Sequence, residues 1–167
     1  VAALLVEVKI KSRALSLTDL EDVRILVAPA ANKQATQLAF TIDAPPTLAL
    51  PSTLVRQVLI NLMLNAIAAA GHGGRVAVRA HAGLTQLEIV VENNGKTLSS
   101  EQLTTLFEPF TRFSEHGHGL GLWICYRIVT QLRGTIRAES NDNLTRFTVA
   151  LPLDPLNDPS AAQNLPN

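Results

Sequence analysis

Four stretches of the chain repeat apolar residues with the 3.6-residue period of a helix. After a helical stub over residues 1–13, the pattern predicts helices over residues 18–32, 52–70, 99–106 and 120–133. Thr18 and Glu21 form a capping-box pattern at the start of the first helix. Gly134 follows the last helix, where a left-handed C-cap is expected.

Other stretches alternate apolar and polar residues, as strands with one buried face do. They are residues 38–42, 75–82, 87–93, 135–139 and 146–151. Gly83 separates the second stretch from the third, which predicts an antiparallel hairpin, and residues 47–50 are placed to pair back with the first strand. This order predicts an α/β (α+β) two-layer sandwich, in which a mixed, mostly antiparallel sheet of about five strands is covered on one face by three helices.

Composition narrows the classes of protein to consider. The 167 residues fit one domain, and 14 basic against 14 acidic side chains argue against a nucleic-acid partner. A single cysteine, Cys125, excludes an internal disulfide and suits a reducing compartment. No apolar run approaches the ~20 residues of a membrane span.

Because the chain starts at Val1, we expect a fragment whose membrane anchor lies elsewhere. The polar residues 154–167 predict a disordered tail.

Two asparagines interrupt the apolar helix predicted over residues 52–70. Asn61 and Asn65 are four residues apart, so they project from the same side of the helix. On one interpretation, each asparagine only caps a neighbouring backbone segment. Alternatively, carboxamide oxygens at this spacing ligate a hard cation or order water around phosphates.

A glycine-rich loop leads into the helix predicted over residues 120–133. Gly117, Gly119 and Gly121 allow the backbone to approach a ligand closely, and the free N–H groups of the first helical turn then face it. This arrangement is typical of phosphate binding. The loop lacks the GK[ST] of a P-loop, and it does not match the GxGxxG that follows a strand in dinucleotide-binding proteins.

Four segments, taken together, resemble the ATP-binding domain of sensor histidine kinases. In order they are QVLINLMLNAI, VVENNGKTL, LFEPFTRF and GHGLGLWICYRIV, followed by a closing strand TRFTVALP. The resemblance covers residues 17–153 and implies an ATP-binding kinase catalytic domain. Residues 1–16 would then be the end of a helical dimerisation segment or linker, and residues 154–167 the disordered tail.

The resemblance implies roles for individual residues. Asn65 would coordinate the Mg²⁺ that bridges the ATP phosphates, and Asn61 stands where hydrolysing relatives carry a glutamate general base. Phe107 and Phe110 would hinge or pack an ATP lid over residues 107–118, although simple core packing is the alternative. Backbone and side-chain contacts to the phosphates would come from Gly117, His118, Gly119, Leu120, Gly121 and Leu122.

The adenine pocket departs from the family pattern D-x-G-x-G. Asn93, Gly95 and Thr97 occupy these positions, while Glu92 points to the opposite face of its strand. An asparagine accepts the adenine amino group without charge, so ATP affinity is expected to fall about tenfold. A flipped amide would instead donate to the O6 of guanine and relax the base preference.

Three further positions also differ from the family: Ala68, Leu144 and His118, where His118 replaces a small or polar residue and could donate to a phosphate or simply face solvent. Ala68 stands where many members have a phosphate-contacting lysine. Leu144 replaces the glycine before Thr145, a threonine that by resemblance supports the adenine contact through water. His116 and His118, with His72 or His81, suggest a metal site only weakly. Cys125 and Trp123 are expected to pack in the core, with Trp123 under the sheet.

The resemblance implies a protein-histidine kinase that passes the ATP γ-phosphoryl group to a histidine on an upstream helical domain of the same protein. A response regulator receiver domain would take the group next. The full-length protein would be a homodimeric, membrane-anchored bacterial sensor with this domain in the cytoplasm. The main alternative is a degenerate, non-catalytic docking module. A hydrolysing ATPase and a serine kinase share the fold; Asn61 disfavours the ATPase.

Overall fold

The computed structural model describes residues 13–111 and 119–153. The elements in chain order are β1 (Ala14–Ser16), α1 (Leu17–Lys33), β2 (Gln37–Asp43), β3 (Thr47–Pro51), α2 (Ser52–Ala70), β4 (Arg75–Ala82), β5 (Gln86–Asn94), α3 (Ser100–Thr104), α4 (Gly121–Gln131), β6 (Thr135–Asn141) and β7 (Leu144–Pro152). The predicted stub over residues 1–13 and tail over residues 154–167 lie almost entirely outside the described residues.

Five strands form the main sheet, in the order β2–β4–β5–β7–β6. The β2–β4 pair is parallel and the other three pairs are antiparallel, so the predicted mixed sheet and its central hairpin are confirmed. The alternating residues of the central strands share one buried face, which α1, α2 and α4 cover. They are Val76, Val78, Ala80, Leu87, Ile89, Val91, Phe147, Val149 and Leu151.

A second, two-stranded sheet was not expected. Residues 47–50 do not pair back with β2; β3 pairs antiparallel with β1. The prediction was wrong because β2 pairs with β4 alone among the described strands, while the apolar side chains of β1 and β3 pack against α1 and α2. Leu15, Leu48 and Leu50 are all buried there.

The helix α1 begins two residues earlier than the capping pattern predicted. Ser16, not Thr18, is the N-cap: its hydroxyl accepts from Asp19 N at 3.3 Å, and the Asp19 carboxylate accepts from Ser16 N at 2.8 Å. Asp19, and not Glu21, completes the capping box because its carboxylate is buried and accepts hydrogen bonds from residues outside the helix. Its carboxylate also accepts from the Ser52 hydroxyl at 2.9 Å and pairs with Arg13.

The end of α4 also corrects the sequence interpretation. The left-handed residue is Arg133 (φ 60°), and Gly134 has no positive φ. Gly134 is required for a different reason. A Cβ at this position would lie 2.3 Å from the carbonyl oxygen of Ala150 in β7. The glycine therefore serves close packing of the helix end on the sheet.

The long helix α2 matches its predicted bounds, and Gly71 is its C-cap. Among the described residues it is the one helix long and apolar enough to cross a membrane by length and composition, which the sequence interpretation did not expect. Its packing against α1, α4 and the sheet accounts for this composition. Its buried side chains include Leu54, Val58, Leu62 and Ala66.

Candidate functional site

The predicted site residues converge on one cavity of about 680 Å³ between α2, the start of α4 and the loop after β5. A cavity of this size is typical of small-ligand sites. Of the residues singled out from the sequence, those that line it are Asn61, Asn65, Ala68, Asn93, Thr97, Gly119, Leu120, Gly121, Leu122 and Thr145. Gly95, Phe107 and Phe110 are not among the lining residues, while Gly117 and His118 are outside the described residues.

The two α2 asparagines have different surroundings. Asn61 is tied to neighbouring elements: its oxygen accepts from Gln57 Nε2 at 3.4 Å, and its Nδ2 lies 3.5 Å from the carbonyl oxygen of Gly121. Asn65 lines the cavity, and its carboxamide makes no hydrogen bond with any described residue. Its oxygen is therefore available to a ligand, which fits the predicted cation-binding role better than a capping role.

Gly119 shapes the approach to α4. It has a φ of 71°, its carbonyl accepts from Phe110 N at 2.8 Å, and a Cβ here would lie 2.7 Å from Phe110 Cα. Only glycine fits both the conformation and the space. The helix α4 then starts at Gly121 with no side-chain cap from Leu120. Gly121 and Leu122 line the cavity, and the free N–H groups of a first helical turn can bind an anion.

Gly95 brings the loop after β5 against α2. Its φ is 129°, and a Cβ would lie 2.4 Å from the carbonyl oxygen of Ala69. The β6–β7 turn holds the loop through Asn143, whose carbonyl accepts from Gly95 N at 3.0 Å and whose N–H donates to the Thr97 hydroxyl at 3.1 Å. Thr97 thus replaces the expected glycine while anchoring the loop. The contribution of Asn143 was missed, since only the fold brings the turn here.

Asn93 lines the cavity and carries a buried hydrogen-bond acceptor. The side chain is 2% exposed, and its Nδ2 donates to the carbonyl oxygen of Asn94 at 2.9 Å. Its Oδ1 is buried with no hydrogen-bond partner. A flipped amide would place two oxygens against each other, so the orientation that would donate to guanine is disfavoured. The orphaned acceptor suits a base with an exocyclic amino group.

Thr145 lies opposite Asn93 in the β5–β7 pair and is 5% exposed. Its hydroxyl is 2.8 Å from that of Ser140, which accepts from Leu98 N at 2.8 Å. This chain of hydrogen bonds positions Leu98, an apolar part of the wall. Ser140 was missed by the sequence interpretation because only the β6–β7 register places it beside Thr145. Glu92 faces the opposite side of the sheet, as predicted, and pairs with Arg79 and Arg146 there.

The two phenylalanines have unequal roles. Phe107 stacks on Tyr126 with ring centroids 5.9 Å apart and meets the edge of Phe147 at 6.3 Å. Since Phe147 lines the cavity, Phe107 supports its wall from behind. Phe110 is 74% exposed and has a φ of 63°, so it contributes no core packing. Residues 112–118 of the predicted lid lie outside the described residues.

Two packing expectations had different outcomes. Cys125 is buried as predicted, and burial raises the pKa of its thiol to about 12. Trp123 is not under the sheet: it is half-buried on the outer side of α4, with the Arg127 guanidinium 5.9 Å from its ring centroid.

His81 pairs with Asp43 at 2.9 Å. Within residues 13–111 and 119–153, no cluster of acidic, histidine or cysteine side chains forms a metal site.

The described residues that line the cavity supply binding contacts and no general base. Among the described lining residues, amides, hydroxyls, backbone N–H groups and the Lys96 ammonium supply the polar contacts, and no carboxylate or histidine is present. Nothing there can take a proton from water. The apolar wall, which would accommodate a flat ring, comprises Leu98, Leu106, Leu122, Ile124 and Phe147.

Residues 51–155 match the family model described as histidine kinase-, DNA gyrase B- and HSP90-like ATPase. The sensor histidine kinase ZraS of Escherichia coli (strain K12) is 37% identical over 131 residues, which cover 77% of this chain and 28% of that protein. The C4-dicarboxylate transport sensor protein DctB of Rhizobium meliloti (strain 1021) is 37% identical over 118 residues, 68% of this chain and 19% of DctB. The chain thus spans less than a third of the length of these relatives.

Solved structures give the same result for the fold. The catalytic domain of histidine kinase ThkA superposes with a TM-score of 0.78 at 27% identity, covering 90% of this chain and 99% of that one. ThkA solved in complex with the response regulator protein TrrA superposes with a TM-score of 0.74 at 26% identity, covering 87% and 42%. The predicted sandwich of sheet and helices is therefore the fold of a histidine kinase catalytic domain.

Proposed function

From the premise that this chain belongs to the histidine kinase-, DNA gyrase B- and HSP90-like ATPase family, we propose that it is the ATP-binding catalytic domain of a bacterial sensor histidine kinase. The observation that carries the proposal is the free carboxamide of Asn65 in a cavity that Asn93, with its orphaned acceptor, also lines. The Asn65 carboxamide suits a cation bound to phosphate, and the Asn93 oxygen suits the amino group of adenine.

The nucleotide lies between α2 and the loop after β5. Asn93 accepts from the base, Thr145 supports this contact, and Thr97 and Gly95 hold the loop beside it. The phosphates lie toward the start of α4, where Gly119, Leu120, Gly121 and Leu122 offer backbone N–H groups. Asn65 supplies an amide oxygen to Mg²⁺, which neutralises phosphate charge when bound.

The γ-phosphoryl group passes to a histidine of another domain, not to water. Asn61 is an amide, already held by Gln57 and Gly121, and it cannot act as a general base. Positioning and charge neutralisation carry the transfer. The acceptor lies on the helical dimerisation domain of the same homodimeric, membrane-anchored protein, and a receiver domain takes the group next; the ThkA–TrrA complex supports such a partner.

Calorimetry of ATP binding tests the proposal. We expect Mg²⁺-dependent binding that Asn65→Ala abolishes, whereas Asn32→Ala, an exposed amide on α1, leaves it unchanged. In competition, ATP should displace GTP because the Asn93 amide is held as an acceptor. With the upstream segment attached, the protein should label its own histidine and then a receiver domain. No binding at millimolar ATP would refute the kinase and favour the docking module.

A further inference from the structure

Lys96 is the one charged side chain among the described residues that line the cavity. Its ammonium forms no ion pair with any described carboxylate. The α2 wall offers small apolar side chains, Ala68 and Ala69, at the same level. A triphosphate carries several negative charges, so a cavity that binds it gains from a cation at its rim.

The backbone brings Lys96 close to the α2 wall of the cavity. Gly95 packs against the carbonyl of Ala69, which places the next residue, Lys96, beside the C-terminal half of α2. Asn65 lies four residues before Ala69, or about 6 Å along the helix. The four-carbon stem of lysine can span much of this distance and bring its ammonium to the phosphate chain.

We propose that Lys96 binds the phosphate chain of the nucleotide and supplies the positive charge that the adjoining alanine wall lacks. This inference rests on the proposed function, since it names the residue that recognises the phosphates in the same cavity. The stem flanks the sugar, and the ammonium contacts the phosphates nearest to it. Lys96 therefore distinguishes nucleotides from nucleosides and takes no part in recognising the base.

The test compares ATP, ADP and adenosine on Lys96→Gln by calorimetry. We expect ATP and ADP to bind about tenfold more weakly, as for a lost charge-assisted contact, and adenosine to bind as before. Lys33→Gln, which removes the same charge at the end of α1, should change none of the three affinities. Lys96→Arg should retain most of the ATP affinity.

A compensating variant separates a charge effect from damage to the loop. Adding Ala68→Lys to Lys96→Gln restores a cation on the neighbouring wall, so we expect ATP affinity to recover. Equal losses for ATP and adenosine, or no loss at all, would overturn the role of Lys96 while leaving ATP binding by the wild-type domain intact. If the wild-type domain binds neither ligand, the proposed function itself fails.

Discussion

Asp19 joins the segment before α1 to the start of α2, and its removal should destabilise the domain strongly. The carboxylate is 1% exposed and accepts hydrogen bonds from Ser16 N at 2.8 Å, from the Ser52 hydroxyl at 2.9 Å and from Arg13 at 2.6 Å. Asp19→Ala leaves the first two donors without an acceptor. At about 1.5 kcal/mol for each hydrogen bond to a charged group, these two contribute about 3 kcal/mol.

Arg13 should contribute less than its short contact suggests. Its side chain is 63% exposed, and exposed ion pairs stabilise by about 1 kcal/mol or less. Urea unfolding should therefore show a loss of about 3 kcal/mol for Asp19→Ala, with an unchanged m-value. The matched control is Asp22→Ala, which removes the same charge one helical turn later and should change stability by less than about 0.5 kcal/mol.

The stabilisation by Asp19 should depend on pH. Arg13, and then the donors of Ser16 and Ser52, hold the pKa of this carboxyl well below its usual value, although burial opposes them. The folded-state pKa lies below the unfolded one, so the contribution is complete above about pH 4 and is lost as the pH falls further. A loss below 1 kcal/mol, or a difference from wild type that stays constant down to pH 2.5, would refute this reasoning.

Two glycine substitutions and one thiol reaction test the packing at single positions. Gly95→Ala should cost about 3 kcal/mol in thermal unfolding and weaken ATP binding, because its Cβ meets the Ala69 carbonyl at 2.4 Å with a φ of 129°. Gly134→Ala should cost about as much, through Ala150, but a folded fraction should keep its ATP affinity. Cys125, with its pKa raised to about 12, should react with a thiol reagent only under denaturing conditions.

Each of these expectations has a clear contrary result. If Gly95→Ala binds ATP normally, the loop does not need its contact with α2. A weakened ATP affinity in folded Gly134→Ala would mean that the end of α4 is coupled to the cavity. Rapid labelling of native Cys125 would show that α4 opens far more readily than its packing indicates. Gly83→Ala, in the open β4–β5 turn, is the control for both glycines.

The elements and most of the cavity were predictable because their signals are local. Asn61 and Asn65 share a side of α2 through the helical period alone, and the alternation in β4 and β5 places Asn93 inward and Glu92 outward. The partners of these residues were not predictable. Asn143 and Ser140 join the site through strand pairing between distant segments, for which no local pattern exists.

The sequence by itself determined the class of fold and the family, and it indicated a nucleotide as the ligand. Periodicity and short motifs carry that information in neighbouring residues. Tertiary structure decided the cap at Ser16, the pairing of β1 with β3 and the reason for Gly134. It also decided the orientation of the Asn93 amide and the placement of Lys96 on the cavity wall. These features depend on which distant groups come within a few ångströms, and only packing sets those distances.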